Sequence, residues 1–190
     1  MTTAPTKKTV ITEGAQIYCE LRGNGPLLLL ITGAMGDAGF YSPTAELLAA
    51  RFTVVCYDRR CSSGDRTSNM RVGQQARDVT SIIKAMGTDK AFVFGSSGGG
   101  IIGLKLAAAM PEMIDFLIVH EAPVTELLPE TGAEKWRSFH HDIFVKSQLD
   151  GWMSALPEFM ASLINVPDTP YPSNLNERIS GNMDCYFNIE

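Results

Sequence analysis

Lys90-Ala91-Phe92-Val93-Phe94-Gly95-Ser96-Ser97-Gly98-Gly99-Gly100-Ile101-Ile102-Gly103 runs from an apolar stretch of strand type, through a serine flanked by glycines, into an apolar stretch of helix type. Gly95-Ser96-Ser97-Gly98-Gly99 fits the pattern G-x-S-x-G, with Ser97 at its centre. In a sharp strand-to-helix turn of this kind the central serine is held in strained backbone geometry. Small residues on both sides let strand and helix approach closely enough to push its hydroxyl out of the fold. Such a turn also puts Ser97 at a helix N-terminus, where unpaired N–H groups favour developing negative charge. The pattern needs its context, and the flanks supply it. Ala91 to Phe94 is a short apolar run, while Ile101, Ile102, Leu104, Leu106, Ala107 and Ala108 make a helix apolar nearly all round, hence buried.

A rival reading shares these residues. Gly98-Gly99-Gly100-Ile101-Ile102-Gly103 matches G-x-G-x-x-G after a strand, with Glu121 roughly 20 residues on as an acid for a ribose. Against it, the first glycine of a dinucleotide fingerprint closes the strand directly, and here Gly95-Ser96-Ser97 intervenes.

Outward from the turn, the chain alternates. Lys8 to Thr12 and Gln16 to Leu21 read as two strands around Glu13-Gly14-Ala15, a hairpin at a sheet edge. After the break Arg22-Gly23-Asn24-Gly25-Pro26 comes Leu27-Leu28-Leu29-Leu30-Ile31, the pattern of a strand covered on both faces. It ends at Thr32-Gly33-Ala34-Met35-Gly36-Asp37, where glycines let backbone N–H groups face a cavity, as an oxyanion-holding loop requires. Ser42 is placed to cap a helix over Thr44 to Ala50, with Pro43 at its first position and Glu46 in its first turn. Phe52 to Tyr57 is the next strand. The charged segment Asp58 to Arg66 that follows reads as a solvated or loop-bracing stretch. Val72, Ala76, Val79, Ile82, Ile83 and Met86 recur at helical spacing up to Gly87. Beyond the serine turn and its helix, Pro111 ends that helix and Phe116-Leu117-Ile118-Val119 is a further apolar strand.

This order predicts a mostly parallel α/β sheet whose ligand site lies beyond the carboxyl ends of the strands. The core spans 1–122. From Pro123 the pattern changes to helices at Glu134 to Gln148, Trp152 to Leu163 and Asn174 to Tyr186, a helical lid segment over 123–190 interrupted by the proline-rich Val166 to Pro172. Trp136, Phe139, Phe144, Trp152, Met153, Phe159 and Met160 are packing residues that a lid can also turn toward an apolar pocket.

Composition narrows the partners. With 190 residues, 45% of them hydrophobic and 19% charged, the chain can bury a core as one domain. A net charge of −5 argues against nucleic acid or an anionic membrane as partner, and favours a small molecule. Cys19, Cys56, Cys61 and Cys185 have neither metal-ligand spacing nor a dense disulfide pattern, so reduced thiols in a cytoplasmic setting are expected. The N-terminus lacks a signal-peptide core, and the aliphatic run Leu27 to Ile31 is too short for a bilayer.

With Thr32-Gly33-Ala34-Met35-Gly36, Tyr57-Asp58-Arg59-Arg60, Gly95-Ser96-Ser97-Gly98-Gly99 and His120-Glu121-Ala122-Pro123 in order, the sequence resembles the α/β-hydrolase superfamily over essentially its whole length. Its His-Glu-x-Pro segment is similar to that of the fungal zearalenone lactonases. The resemblance implies an α/β-hydrolase-type sheet with flanking helices and a helical lid, and hydrolysis of a small apolar ester or lactone without metal or organic cofactor. It further implies Ser97 as nucleophile, Glu121 as the acid of a triad, and backbone N–H groups of Gly33 or Ala34 and of Gly98 as the oxyanion hole. A carboxylate at the end of the strand beside the serine turn can indeed reach an imidazole bonded to Ser97 Oγ.

Two departures stand out. Thr32 occupies a position where many relatives have histidine. The larger one is the general base, which family members deliver after two further strands, whereas this sequence ends at Glu190 with His120, His140 and His141 as its histidines. His120 adjoins Glu121 on a strand end, so alternation sends the two side chains to opposite faces and makes His120 a poor base. His140 and His141 fall on a lid helix. A core without its last strands is the expectation, with an exposed sheet edge covered by a second copy or a partner. The second functional reading is an inactive protein that binds a ligand or partner in the same pocket.

Overall fold

The alternating apolar runs fold, in a computed structural model that describes residues 4–34, 36–60 and 71–163, into six strands. These are β1 (Thr6–Thr12), β2 (Ala15–Arg22), β3 (Leu27–Ile31), β4 (Thr53–Tyr57), β5 (Ala91–Ser96) and β6 (Ile114–His120). Five helices accompany them: α1 (Ser42–Leu48), α2 (Val72–Ala85), α3 (Gly98–Ala109), α4 (Glu130–Asp150) and α5 (Trp152–Leu163). The sheet order is β1-β2-β4-β3-β5-β6. The hairpin β1–β2 is antiparallel and β2 lies antiparallel to β4, whereas β4, β3, β5 and β6 are parallel. The expected mostly parallel α/β sheet is thus present, and β3 and β5 lie side by side at its middle.

The all-apolar run of β3 is buried at all five positions because both its faces are covered. Leu29 and Ile31 enter one core with Ile17, Val55 and Val93 of neighbouring strands, Val79, Ile82 and Ile83 of α2, and Ile102 and Leu106 of α3. The alternate residues Leu28 and Leu30 join Val54, Cys56 and Ala45 on the opposite face. Each fully buried aliphatic side chain contributes about 1.5–3 kcal/mol, so the two-sided burial of β3 anchors the sheet. Cys19 and Cys56 are free thiols within these cores, and desolvation pushes each up to about 12, which makes them packing residues.

The second face is less covered. Among the described residues α1 is the helix that packs on it, and Leu28, Leu30, Tyr41, Phe92, Phe94 and Phe116 help line an apolar trough of about 320 Å³. Among the same residues β6 pairs on one side alone, and Phe116 is 59% and Ile118 50% exposed. Its run of apolar residues reads like a covered strand, but the described residues leave it half-exposed.

Some local expectations are corrected. Helix α1 begins at Ser42, with Tyr41 as the residue before it and no side-chain cap. The Ser42 hydroxyl is instead engaged by Arg22, whose Nη2 donates to Ser42 Oγ over 3.2 Å, so it is not free to cap, and Glu46 falls beyond the first turn. Helix α4 starts four residues earlier than its expected Glu134, straight after Pro129. It packs on α5 through Ile143, Ala155 and Phe159. Cys61, Cys185, the proline-rich Val166 to Pro172 and the expected helix over Asn174 to Tyr186 lie outside the described residues. Among the described residues no helix is long and apolar enough to cross a membrane.

Candidate active site

Ser97 sits between β5 and α3 with φ 53 and ψ −123. Ser97 and Glu121, at φ 49, are the two non-glycine residues with positive φ among those described, and they stand at the ends of adjacent strands. Strain of this kind, about 1–3 kcal/mol per residue, persists only where the surroundings enforce it. Here they do. The Ser97 N–H donates to His120 O over 2.8 Å, and Ser97 O accepts from the N–H of Gly100 at 2.9 Å and of Ile101 at 3.3 Å. The glycines of the turn are there for contact: a β-carbon on Gly95 would strike the Gly99 carbonyl, and one on Gly99 would strike the Ile31 carbonyl.

The loop after β3 closes on the serine. A β-carbon on Gly33 would lie 2.9 Å from Ser97 Cβ and 3.3 Å from its Oγ, so the chain passes Ser97 at a distance only glycine allows. Among the described residues the N–H groups of Ala34 and Gly98 meet no acceptor. Gly98 is the first residue of α3, where the helix leaves its N–H unpaired. Gly33 is therefore brought against the serine hydroxyl, with Ala34 and Gly98 as the chain neighbours of Gly33 and Ser97.

Residues after β4 hold that loop from beneath. Asp58 Oδ1 accepts from Ala38 N–H at 2.8 Å, the Arg59 N–H donates to Gly36 O at 2.7 Å, and Arg59 Nη2 donates to Gly33 O at 2.6 Å. Arg59 Nη1 donates to Gln75 Oε1 of α2 at 3.1 Å. Arg60 Nε and Nη2 donate to Asp78 of the same helix at 3.0 and 2.6 Å in a buried ion pair. Burial pushes the Asp58 carboxyl up to about 6, against the opposing effect of the Ala38 N–H. Asp58 and Arg59 thus brace the loop, whereas Arg60 ties the end of β4 to α2 and does not touch the loop; Cys61 to Arg66 lie outside the described residues. The reach of Arg59 to Gly33 is not apparent in the sequence. The signal available was two arginines directly after an apolar strand, with Gln75 and Asp78 three residues apart on one face of the next helix.

The side of the site beside β6 is more exposed. His120 Nδ1 lies 3.0 Å from Ser96 Oγ, not Ser97, and its ring stacks on Phe94 with centroids 6.3 Å apart. Glu121 is 80% exposed and its Oε2 lies 3.9 Å from His120 Nδ1. The expectation that these two side chains point to opposite faces is corrected: the strand ends at His120, and the left-handed backbone at Glu121 breaks the alternation. His140 packs edge-on against Trp136 at 5.3 Å and its burial lowers its pKa, while His141 is exposed. Among the described residues no imidazole is hydrogen-bonded to Ser97 Oγ. Ala34 packs against the Ile143, Ala155 and Phe159 cluster of α4 and α5, so the helical pair rests on the loop beside Ser97.

As for the dinucleotide reading, β5 continues through Ser96 and Gly98 already lies in the first turn of α3, so the glycines do not close the strand. Among the described residues no group of three or more His, Cys, Asp or Glu is arranged to hold a metal ion.

Comparison with known proteins agrees with the fold. A family model described as alpha/beta hydrolase fold matches residues 26–183. The chain is similar to the uncharacterized hydrolase YraK of Bacillus subtilis, 35% identical over 139 residues, which cover 71% of this chain and 51% of that protein. It spans about half the length of the curated relatives it matches. Among solved structures, one from Nostoc sp PCC 7120 superposes with a TM-score of 0.75 at 22% identity, covering 99% of this chain and 72% of that one. An alpha/beta hydrolase from Sphaerobacter thermophilus gives a TM-score of 0.65 at 27% identity, covering 96% of this chain and 75% of that one.

Proposed function

The chain belongs to the alpha/beta hydrolase fold family, and we propose that within it this protein is a serine-nucleophile hydrolase of a small apolar ester or lactone. Ser97 Oγ attacks the carbonyl carbon as its proton passes to an imidazole, and the carbonyl oxygen, now negative, is held by the N–H groups of Ala34 and Gly98. The alcohol leaves with a proton from an imidazole, and water then releases the acid and restores the serine. Glu121 orients that imidazole. The helical segment from Pro123 acts as a lid, a role supported by its contact with Ala34. Resemblance of the His120-Glu121-Ala122-Pro123 segment to the fungal lactonases favours a lactone among the possible esters.

The observation that carries this reading is Ser97 itself, strained at the start of a helix with Gly33 packed against it and, among the described residues, no acceptor for the N–H groups of Ala34 and Gly98. Incubation with a p-nitrophenyl ester, followed by intact mass and peptide mapping, tests it. We expect acylation at Ser97, stoichiometric or with turnover, and none in Ser97→Ala. A folded protein with no adduct and no turnover contradicts it.

A second reading, a ligand-binding protein without turnover, is favoured by the lack of an imidazole bonded to Ser97 among the described residues. Saturable binding of the ester with no covalent adduct is its signature.

A further inference from the structure

The carbonyl of Gly33 is an unusual target for a buried arginine. Arg59 is 4% exposed, yet Nη2 approaches a neutral backbone oxygen at 2.6 Å, while its Nη1 is steadied by Gln75. A charge-assisted bond of this length is stronger than a neutral one and fixes the orientation of the acceptor. In a planar trans peptide the C=O of one residue and the N–H of the next point in opposite directions. Securing the Gly33 oxygen therefore also fixes the direction of the Ala34 N–H, which has no acceptor among the described residues. Gly33 has the conformational freedom to let this peptide flip, since it carries no β-carbon. Two other ties on the loop, Arg59 N–H to Gly36 O and Asp58 to the Ala38 N–H, do not touch the 33–34 peptide.

From these contacts we infer that Arg59 is a positioning residue: by holding the Gly33 carbonyl it keeps the Ala34 N–H aimed at the oxyanion site beside Ser97. The inference rests on the reading of Ser97 as nucleophile. Arg59 acts through the peptide and does not itself meet the substrate. Releasing the Gly33 oxygen lets the peptide turn, and a carbonyl then stands where a donor is needed, which repels the negative oxygen.

The experiment measures the second-order rate of Ser97 phosphonylation by a fluorophosphonate in the full chain, together with the amide spectrum of protein labelled with 15N-alanine. In wild type the Ala34 amide proton moves downfield on phosphonylation, as its N–H bonds the phosphonyl oxygen. In Arg59→Met the rate falls roughly hundred- to thousand-fold, in line with loss of one oxyanion donor, and the Ala34 shift is absent. In Arg59→Lys an ammonium can still donate to the Gly33 oxygen, so part of the rate and of the shift returns. Arg60→Met, which breaks the neighbouring buried pair with Asp78, lowers stability but leaves the rate per folded molecule within twofold. If Arg59→Met does not fold, Arg59→Lys alone carries the test through its intermediate rate and shift. Wild-type rate and shift in both Arg59 variants, or in Arg59→Lys where it alone folds, overturn this inference and leave Ser97 standing. A folded wild type that is not labelled overturns the Ser97 reading and this inference with it.

Discussion

The strand-end site has two sides built to different standards. On the side of β3 and β5, Ser97 and Gly33 are packed at van der Waals distance, and Asp58 and Arg59 hold the loop with short bonds from a largely buried position. On the side of β6, Glu121 and His120 stand mostly exposed at the end of an edge strand, and the imidazole is engaged with Ser96. Receiving a carbonyl oxygen would take fixed dipoles in a dry setting, and the middle of the sheet, where β3 is buried at all five positions, offers one. Glu121 and His120 sit where, among the described residues, one sheet face is less covered and the edge strand pairs on one side alone. The Ser97 turn is thus braced by its own strand–helix neighbours, whereas Glu121 beside it is 80% exposed at the end of an edge strand.

Gly99→Val should separate the two sides most sharply. Its side chain has to enter the space of the Ile31 carbonyl, so β3 and α3 cannot keep their spacing, and a loss of about 4 kcal/mol or more is expected in urea unfolding. Asp78→Ala comes next. It strands the buried Arg60 guanidinium, and a loss of about 3–5 kcal/mol is expected by the same measurement. A smaller effect is a pH dependence on the braced side. The folded chain holds the Asp58 proton up to about pH 6, above the ordinary value of 3.8, so ionising this group opposes folding. Its contribution is most favourable below about pH 4 and declines as pH rises through about 6. Asp58→Asn, which retains an acceptor for the Ala38 N–H, should flatten the stability profile across that interval. The smallest changes belong to the open side: Phe116→Ser on the half-exposed edge should alter stability by less than about 1 kcal/mol. His120→Ala should leave the rate of Ser97 acylation within twofold, and a much larger fall would mean that the open side participates as it stands.

Much of this was legible in the sequence because the informative residues are local. The five aliphatic residues of β3 announce a strand buried on both faces, and the spacing of Val79, Ile82 and Ile83 announces the face of α2 that meets it. The glycines around Ser97 specify a turn whose contacts lie within a few residues or across one strand. What escaped depends on distant partners. Arg59 and Arg60 read in the sequence as solvated or loop-bracing, and only the approach of α2, with Gln75 and Asp78, decides for bracing and names the partners. Ser42 has the chemistry of a helix cap, but Arg22, twenty positions away, engages its hydroxyl. The relation between His120 and Glu121 follows from a positive φ on a glutamate, a backbone state that the residue type does not advertise.

Whether Ser97 is an activated nucleophile is decided by labelling the folded chain with a fluorophosphonate, with peptide mass mapping and Ser97→Ala as control. A single phosphonyl adduct is expected on Ser97 and none in the variant. An intact, cooperatively folding protein that stays unlabelled, or that is labelled at another residue, would contradict it.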